Sequence, residues 1–142
     1  MYVAKSPDEK VFVIETVDGP IGSISLDILR RDHRATLAIM IGDRAYWGKG
    51  LGREAIETML RYAFVRQKLQ RVELSVYSYN ERARALYRKL GFRLEGLKRK
   101  AVYYKGRYYD ELIMGILKED WLTKKSVRIQ LLGIKKSHVR TH

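Results

Sequence analysis

The chain has 142 residues, 46% of them apolar, which is enough for the core of one ordinary domain and leaves no room for a second. No apolar run approaches the ~20 residues of a membrane span and the N-terminus has no basic-then-apolar leader pattern, so a soluble, cytoplasmic protein with no membrane partner is expected. Zero Cys excludes disulfides, thiol nucleophiles and cysteine-bound zinc, and a formal charge of +13 favours anionic partners.

Residues 11–17 and 21–29 are rich in β-branched and aliphatic side chains, and Asp18-Gly19-Pro20 between them supplies turn chemistry, which predicts a hairpin. A charged connection at 30–34 leads to an apolar strand over 36–41. Three alternating glycines, Gly48, Gly50 and Gly52, then open a helix over 53–66, in which Ala55, Ile56, Met59, Leu60, Ala63 and Phe64 recur at helical spacing. A strand is predicted over 71–77. A second helix follows over 81–90, capped by Asn80 and ended by a left-handed Gly91, with Phe92 folding back on it. The runs 94–104 and 108–117 around Lys105-Gly106-Arg107 read as a closing hairpin. After Trp121 the pattern fades from a domain over 1–121 into a basic tail over 122–142, with a short strand over 127–132 as its only candidate element. The tail holds six Lys and Arg and no acid, and removing those six leaves +7.

The most informative stretch is Tyr46-Trp47-Gly48-Lys49-Gly50-Leu51-Gly52-Arg53. Glycines placed between a strand and a helix permit positive φ, let the backbone approach a ligand, and leave the helix's first amides facing it, an arrangement suited to phosphate. A second stretch, Asn80-Glu81-Arg82-Ala83-Arg84-Ala85-Leu86-Tyr87-Arg88-Lys89-Leu90-Gly91-Phe92, follows the apolar run 72–76. In this order the two resemble the GNAT superfamily of acetyl-CoA-dependent N-acetyltransferases. The first matches that family's [QR]-x-x-G-x-[GA] motif and the second its N-x-x-A-x-x-L-Y-x-K-x-G-F helix. The resemblance covers residues 8–120 and is closest to the branch of ribosomal-protein and diamine acetyltransferases, whose G-x-Y-x-D…M ending corresponds to Gly106-Arg107-Tyr108-Tyr109-Asp110 and Met114. It implies a mixed α+β fold: a mostly antiparallel twisted sheet with a V-shaped splay and flanking helices.

The resemblance implies acetyl-CoA as cosubstrate, no metal, and a primary amine as acceptor, either a small molecule or a protein N-terminus. Trp47, Gly48, Lys49, Gly50, Leu51, Gly52 and Arg53 would hold the phosphates through backbone amides, helix dipole and nearby charge. Ile39, Met40 and Ile41 would lie on a bulged strand whose unpaired amides face the pantetheine and the thioester carbonyl. Asn80, Ala83 and Lys89 belong to the coenzyme-binding helix motif, with Asn80 available both as a cap and as a partner for the pantetheine arm. Tyr87 would be the general acid, since a phenol with pKa ~10 is protonated at neutral pH and can donate to a thiolate whose conjugate acid lies near ~8.5.

Two departures from the family pattern stand out. Trp47 replaces the motif's Gln or Arg, which shifts phosphate binding toward backbone amides. Thr36 stands where relatives often carry a glutamate and cannot serve as a base, leaving Glu73, Glu111, Asp110 or His33 through water as candidates. The charge fits a ribosome or other anionic partner better than a polycationic acceptor. Residues Met1 to Ser6 resemble the end of the family's N-terminal helices, so an open acceptor side, an exposed sheet edge and a homo-oligomer are expected. Two other readings remain. Basic and aromatic residues interleave over 98–109 as in a nucleic-acid-binding module, and a catalytically silent CoA-binding domain would carry the same coenzyme motifs.

Overall fold

The computed structural model describes residues 8–42 and 44–124. The expectations for residues 1–6 and 127–132 lie outside the described residues. The strands are β1 (Glu9–Thr16), β2 (Gly19–Leu29), β3 (Arg34–Ile41), β4 (Arg71–Tyr77), β5 (Arg93–Tyr104) and β6 (Arg107–Leu117). They form one sheet in the order β1-β2-β3-β4-β6-β5, antiparallel throughout except for β3 beside β4. Helix α1 (Leu51–Arg61) continues through a π turn at Tyr62–Arg66, so the helical segment ends where its sequence pattern does. Helix α2 (Glu81–Leu90) follows β4, and residues 118–124 form a last helical stretch past the point where the pattern fades.

The β1–β2 turn falls earlier than turn chemistry predicts. Thr16 pairs with Gly19, so Val17 and Asp18 make the loop and Pro20 sits inside β2 opposite Glu15, where the register shifts. A bulge is where a strand tolerates a residue without an N–H donor. The β5–β6 turn lies at Lys105 and Gly106, both at positive φ, which suits a tight two-residue hairpin.

Alternate residues on one face of the sheet build the core: Ile24, Leu26 and Ile28 on β2, Val72, Leu74 and Val76 on β4, and Leu112, Met114 and Ile116 on β6. They meet Ile56, Met59 and Leu60 of α1, Ala63 and Phe64 of the π turn, and Leu90 of α2. Trp121 closes this cluster with its ring 5.3 Å from Phe64. The opposite face is lined by Ser23, Ala38, Met40, Ser75 and Tyr77, and Met40 there is 65% exposed.

Candidate active site

The parallel ladder between β3 and β4 lasts three pairs, Arg34 with Arg71, Ala35 with Val72 and Thr36 with Glu73. Beyond them, among the described residues, β3 runs on to Ile41 paired only with β2, and β4 runs on to Tyr77 paired only with β6. The carboxyl ends of the two strands therefore splay apart, as the resemblance implies. No bulge produces the splay. The β2–β3 register is unbroken from Gly22–Ile41 to Leu29–Arg34, so the expected bulge in β3 is absent and divergence follows from ending the ladder early. Gly22 allows this close approach, because a Cβ there would collide with the carbonyl oxygen of Met40.

The glycine-rich loop leads from the open end of β3 into α1. Gly48 and Gly50 take φ of 78° and 80°, and Gly50 is the left-handed N-cap of α1, with no side chain over the helix's first amides. No atom of the described residues lies within 4 Å of where a Cβ of Gly50 would point, so that side is open to a ligand. Gly52 differs from Gly48 and Gly50 in being helical, within the first turn of α1. Its Cβ position is 3.8 Å from Leu86 Cδ2 and 3.9 Å from Ile41 Cδ1, which shows how closely α1, α2 and the end of β3 converge.

Trp47 is a latch. Its indole Nε1–H donates to the Ile41 carbonyl at 2.9 Å, fixing the loop to the end of β3. The guanidinium carbons of Arg44 and Arg82 lie 5.4 and 5.9 Å from its ring centroid, within cation–π range. Arg82, in the first turn of α2, reaches the loop so closely that a Cβ on Gly48 would lie 2.6 Å from its Nη2. Sequence reasoning passed over Arg44 and Arg82. The only signal for Arg82 was its place two residues after the cap of a helix already tied to the coenzyme. Of the two loop cations it did select, Lys49 sits 5.9 Å over the Tyr46 ring, and Arg53 is paired with Glu57 at 3.7 Å. The Tyr46 hydroxyl in turn donates to Asp18 at 2.9 Å, tethering the loop to the first hairpin.

On α2, Asn80 Oδ1 accepts from the Ala83 amide at 3.1 Å, so its carbonyl caps the helix while its amide donors stay available. Gly91, at φ 107°, ends the helix, and the Phe92 amide returns to the Tyr87 carbonyl at 3.0 Å. Tyr87 is 8% exposed, its ring 6.0 Å from Phe92, and burial raises the phenol above the ordinary tyrosine range. No buried side-chain oxygen among the described residues lacks a partner, and none of their hydrogen bonds involves the Tyr87 hydroxyl, so that oxygen reaches the surface from a buried ring. Lys89 is exposed in the last turn of α2, at the end opposite Asn80, and its backbone carbonyl accepts from Lys124.

The candidate bases fall in different places. Glu73 sits at the closed end of the splay and is held by Arg71 at 2.9 Å. His33 precedes β3 at the end away from the loop. Asp110 Oδ1 accepts from the Lys100 amide. Glu111 is the carboxylate at the open end, opposite Tyr77 and 3.8 Å from Lys98.

Comparison with known proteins agrees with this geometry. The acetyltransferase (GNAT) domain family matches residues 2–93, and the chain belongs to that family. It is 41% identical over 76 residues to an uncharacterized prophage-derived N-acetyltransferase of Bacillus subtilis, covering 54% of this chain and 43% of that protein. It is 31% identical over 124 residues to spermidine N(1)-acetyltransferase of Escherichia coli, covering 87% and 67%. A structure of Vibrio cholerae spermidine N-acetyltransferase in complex with CoA and spermine superposes with a TM-score of 0.74 at 32% identity, covering 82% of this chain and 69% of that one. The chain thus spans 43% to 67% of the length of these curated relatives.

Proposed function

We propose that this chain binds acetyl-CoA at the loop and splay and transfers the acetyl group to a primary amine. The observation that carries this reading is the parallel ladder opening after Thr36 and Glu73 directly before a helix whose N-cap is the left-handed Gly50. Backbone there can approach a ligand, and the positive end of α1 faces it. The space at Gly50 is open to a phosphate, and the same loop carries Arg44 and Arg82 beside the Trp47 ring and Lys49 over Tyr46. Past Thr36, the alternate β3 amides that point away from β2 have no β4 partner among the described residues and are available to the pantetheine arm and the thioester oxygen. When bound, acetyl-CoA supplies a thioester carbon for direct attack by the amine. Tyr87 then keeps its proton at neutral pH, because burial opposes ionisation, and can give it to the departing sulfur.

For the acceptor, a protein N-terminus or small amine carried on an anionic partner such as a ribosome suits a chain of charge +13 better than a free polyamine. Among the described residues β1 pairs only with β2, and its Val13 is 63% exposed, which supports the homo-oligomer expected from sequence. The test is thiol release from acetyl-CoA against a panel of N-terminal peptides, spermidine and simple amines, run beside sedimentation. Release that depends on an added amine supports the reading. CoA binding with no release for any amine would leave a silent CoA-binding domain.

A further inference from the structure

The β5–β6 hairpin carries chemistry that acetyl transfer does not use. Residues 98–109 contain five Lys or Arg, four Tyr and no acid. Part of this aromatic set is packing: Tyr79 stacks on Tyr104 at 4.4 Å and 10° and meets Tyr109 edge-on at 5.0 Å, on the face away from the helices. The other pair has no such role. Tyr103 and Tyr108 lie opposite each other across the hairpin on the other face, 5.1 Å apart and edge to face, and are 63% and 61% exposed. Lys100 lies 5.9 Å over the Tyr108 ring and Lys105 lies 5.3 Å over Tyr104, so cations are set beside ring faces along both strands. Every residue of β5 from Arg93 to Ala101 is exposed, which leaves the hairpin open to a partner.

We propose that this hairpin is a binding platform for single-stranded RNA. The partner must be a polyanion, because residues 98–109 carry five cations and no acid, and it must offer flat apolar rings, because Tyr103 and Tyr108 keep π surface in water that only stacking would cover. An acidic peptide meets the first requirement and not the second. A duplex meets the first and not the second, since its bases are already stacked and its edges are turned inward, whereas loops and tails of RNA present unpaired bases. The inference is independent of the proposed acetyl transfer.

The test uses fluorescence anisotropy of the full chain, without acetyl-CoA, on a labelled 12-mer RNA, single-stranded or annealed to its complement. The single strand should bind at least about tenfold tighter than the duplex, and Tyr103→Ala with Tyr108→Ala should remove about tenfold or more of that affinity. Tyr103→Phe with Tyr108→Phe should retain it, and Arg66→Ala, an exposed cation outside the hairpin, should leave it unchanged. Lys100→Ala with Lys105→Ala should lower the slope of log affinity against log salt by about one to two, a readout that does not depend on the tyrosine variants folding. Equal affinity for single strand and duplex, full single-strand affinity in the alanine pair, or an unchanged salt slope would each overturn the proposal and assign any binding to net charge.

Discussion

Gly50 offers a test in which a sign reverses. The residue caps α1 at φ 80°, and a Cβ added there meets no atom of the described residues within 4 Å. Gly50→Asn and Gly50→Asp therefore add the same shape at the same backbone cost, about 1 kcal/mol for a left-handed non-glycine residue, or roughly 3–5 °C in a domain of this size. In the free protein the Asp variant gains about 0.5 kcal/mol over Asn from the helix dipole, so it melts slightly higher. With CoA at about 100 times its Kd, a binder gains about 2.7 kcal/mol, or roughly 10 °C. A carboxylate ~5 Å from a phosphate costs about 3 kcal/mol at an effective dielectric of ~20, enough to weaken binding over 100-fold and erase most of that gain. Thermal denaturation with and without CoA should thus put Asp above Asn in the free state and below it in the bound one. Equal CoA-induced shifts in the two variants would refute the placement of the phosphates at this cap.

Tyr87→Phe keeps the buried ring and removes only the hydroxyl, so turnover should fall by about 100- to 10,000-fold with CoA affinity little changed; an undiminished rate at saturating acetyl-CoA would assign the sulfur's proton to another donor. Arg82→Ala should weaken CoA about tenfold or more by calorimetry while leaving the melting temperature of the free protein nearly unchanged, because the side chain is exposed; equal CoA affinity would make it a surface cation only. Alkaline stability carries a third outcome. The folded chain holds the Tyr87 proton more tightly than the unfolded one, so this contribution is complete below the unfolded value near ~10 and is lost as pH rises through the folded value. Between about pH 9 and 12 wild type should therefore lose melting temperature more steeply than Tyr87→Phe, and parallel curves would contradict the direction of the shift.

What the sequence made legible was local. The Asn80 cap, the Gly91 stop and the Phe92 return each depend on residues within one helix, and the strands announced themselves by composition. What it hid depends on register and tertiary approach. Gly22 looks like a weak point in a strand until β2 and β3 are aligned and the Met40 carbonyl occupies the space of its missing side chain. Trp47 read as a departure from a phosphate-binding motif, but its indole hydrogen bond to Ile41 gives it a structural role that no spacing rule contains. The same contact explains why Arg44 and Arg82 escaped notice, since the ring that organises them is placed only once the loop has folded back.

Topology explains why two motifs about thirty residues apart meet at all. β3 and β4 are parallel, so each must leave the sheet at the same end, and the helix that follows each starts there. The N-terminus of α1 and the capped N-terminus of α2 are thereby brought to one edge, where their positive dipole ends and Arg82 add on the same region. A longer β3–β4 ladder would hydrogen-bond the strand ends to each other and consume the β3 amides past Thr36 that point away from β2. A shorter one would give up the pairs that hold the two strands side by side. Three pairs leave the strands joined at Arg34–Thr36 and open from Leu37 onward, which is how one parallel contact in an otherwise antiparallel sheet produces a cleft beside two helix N-termini.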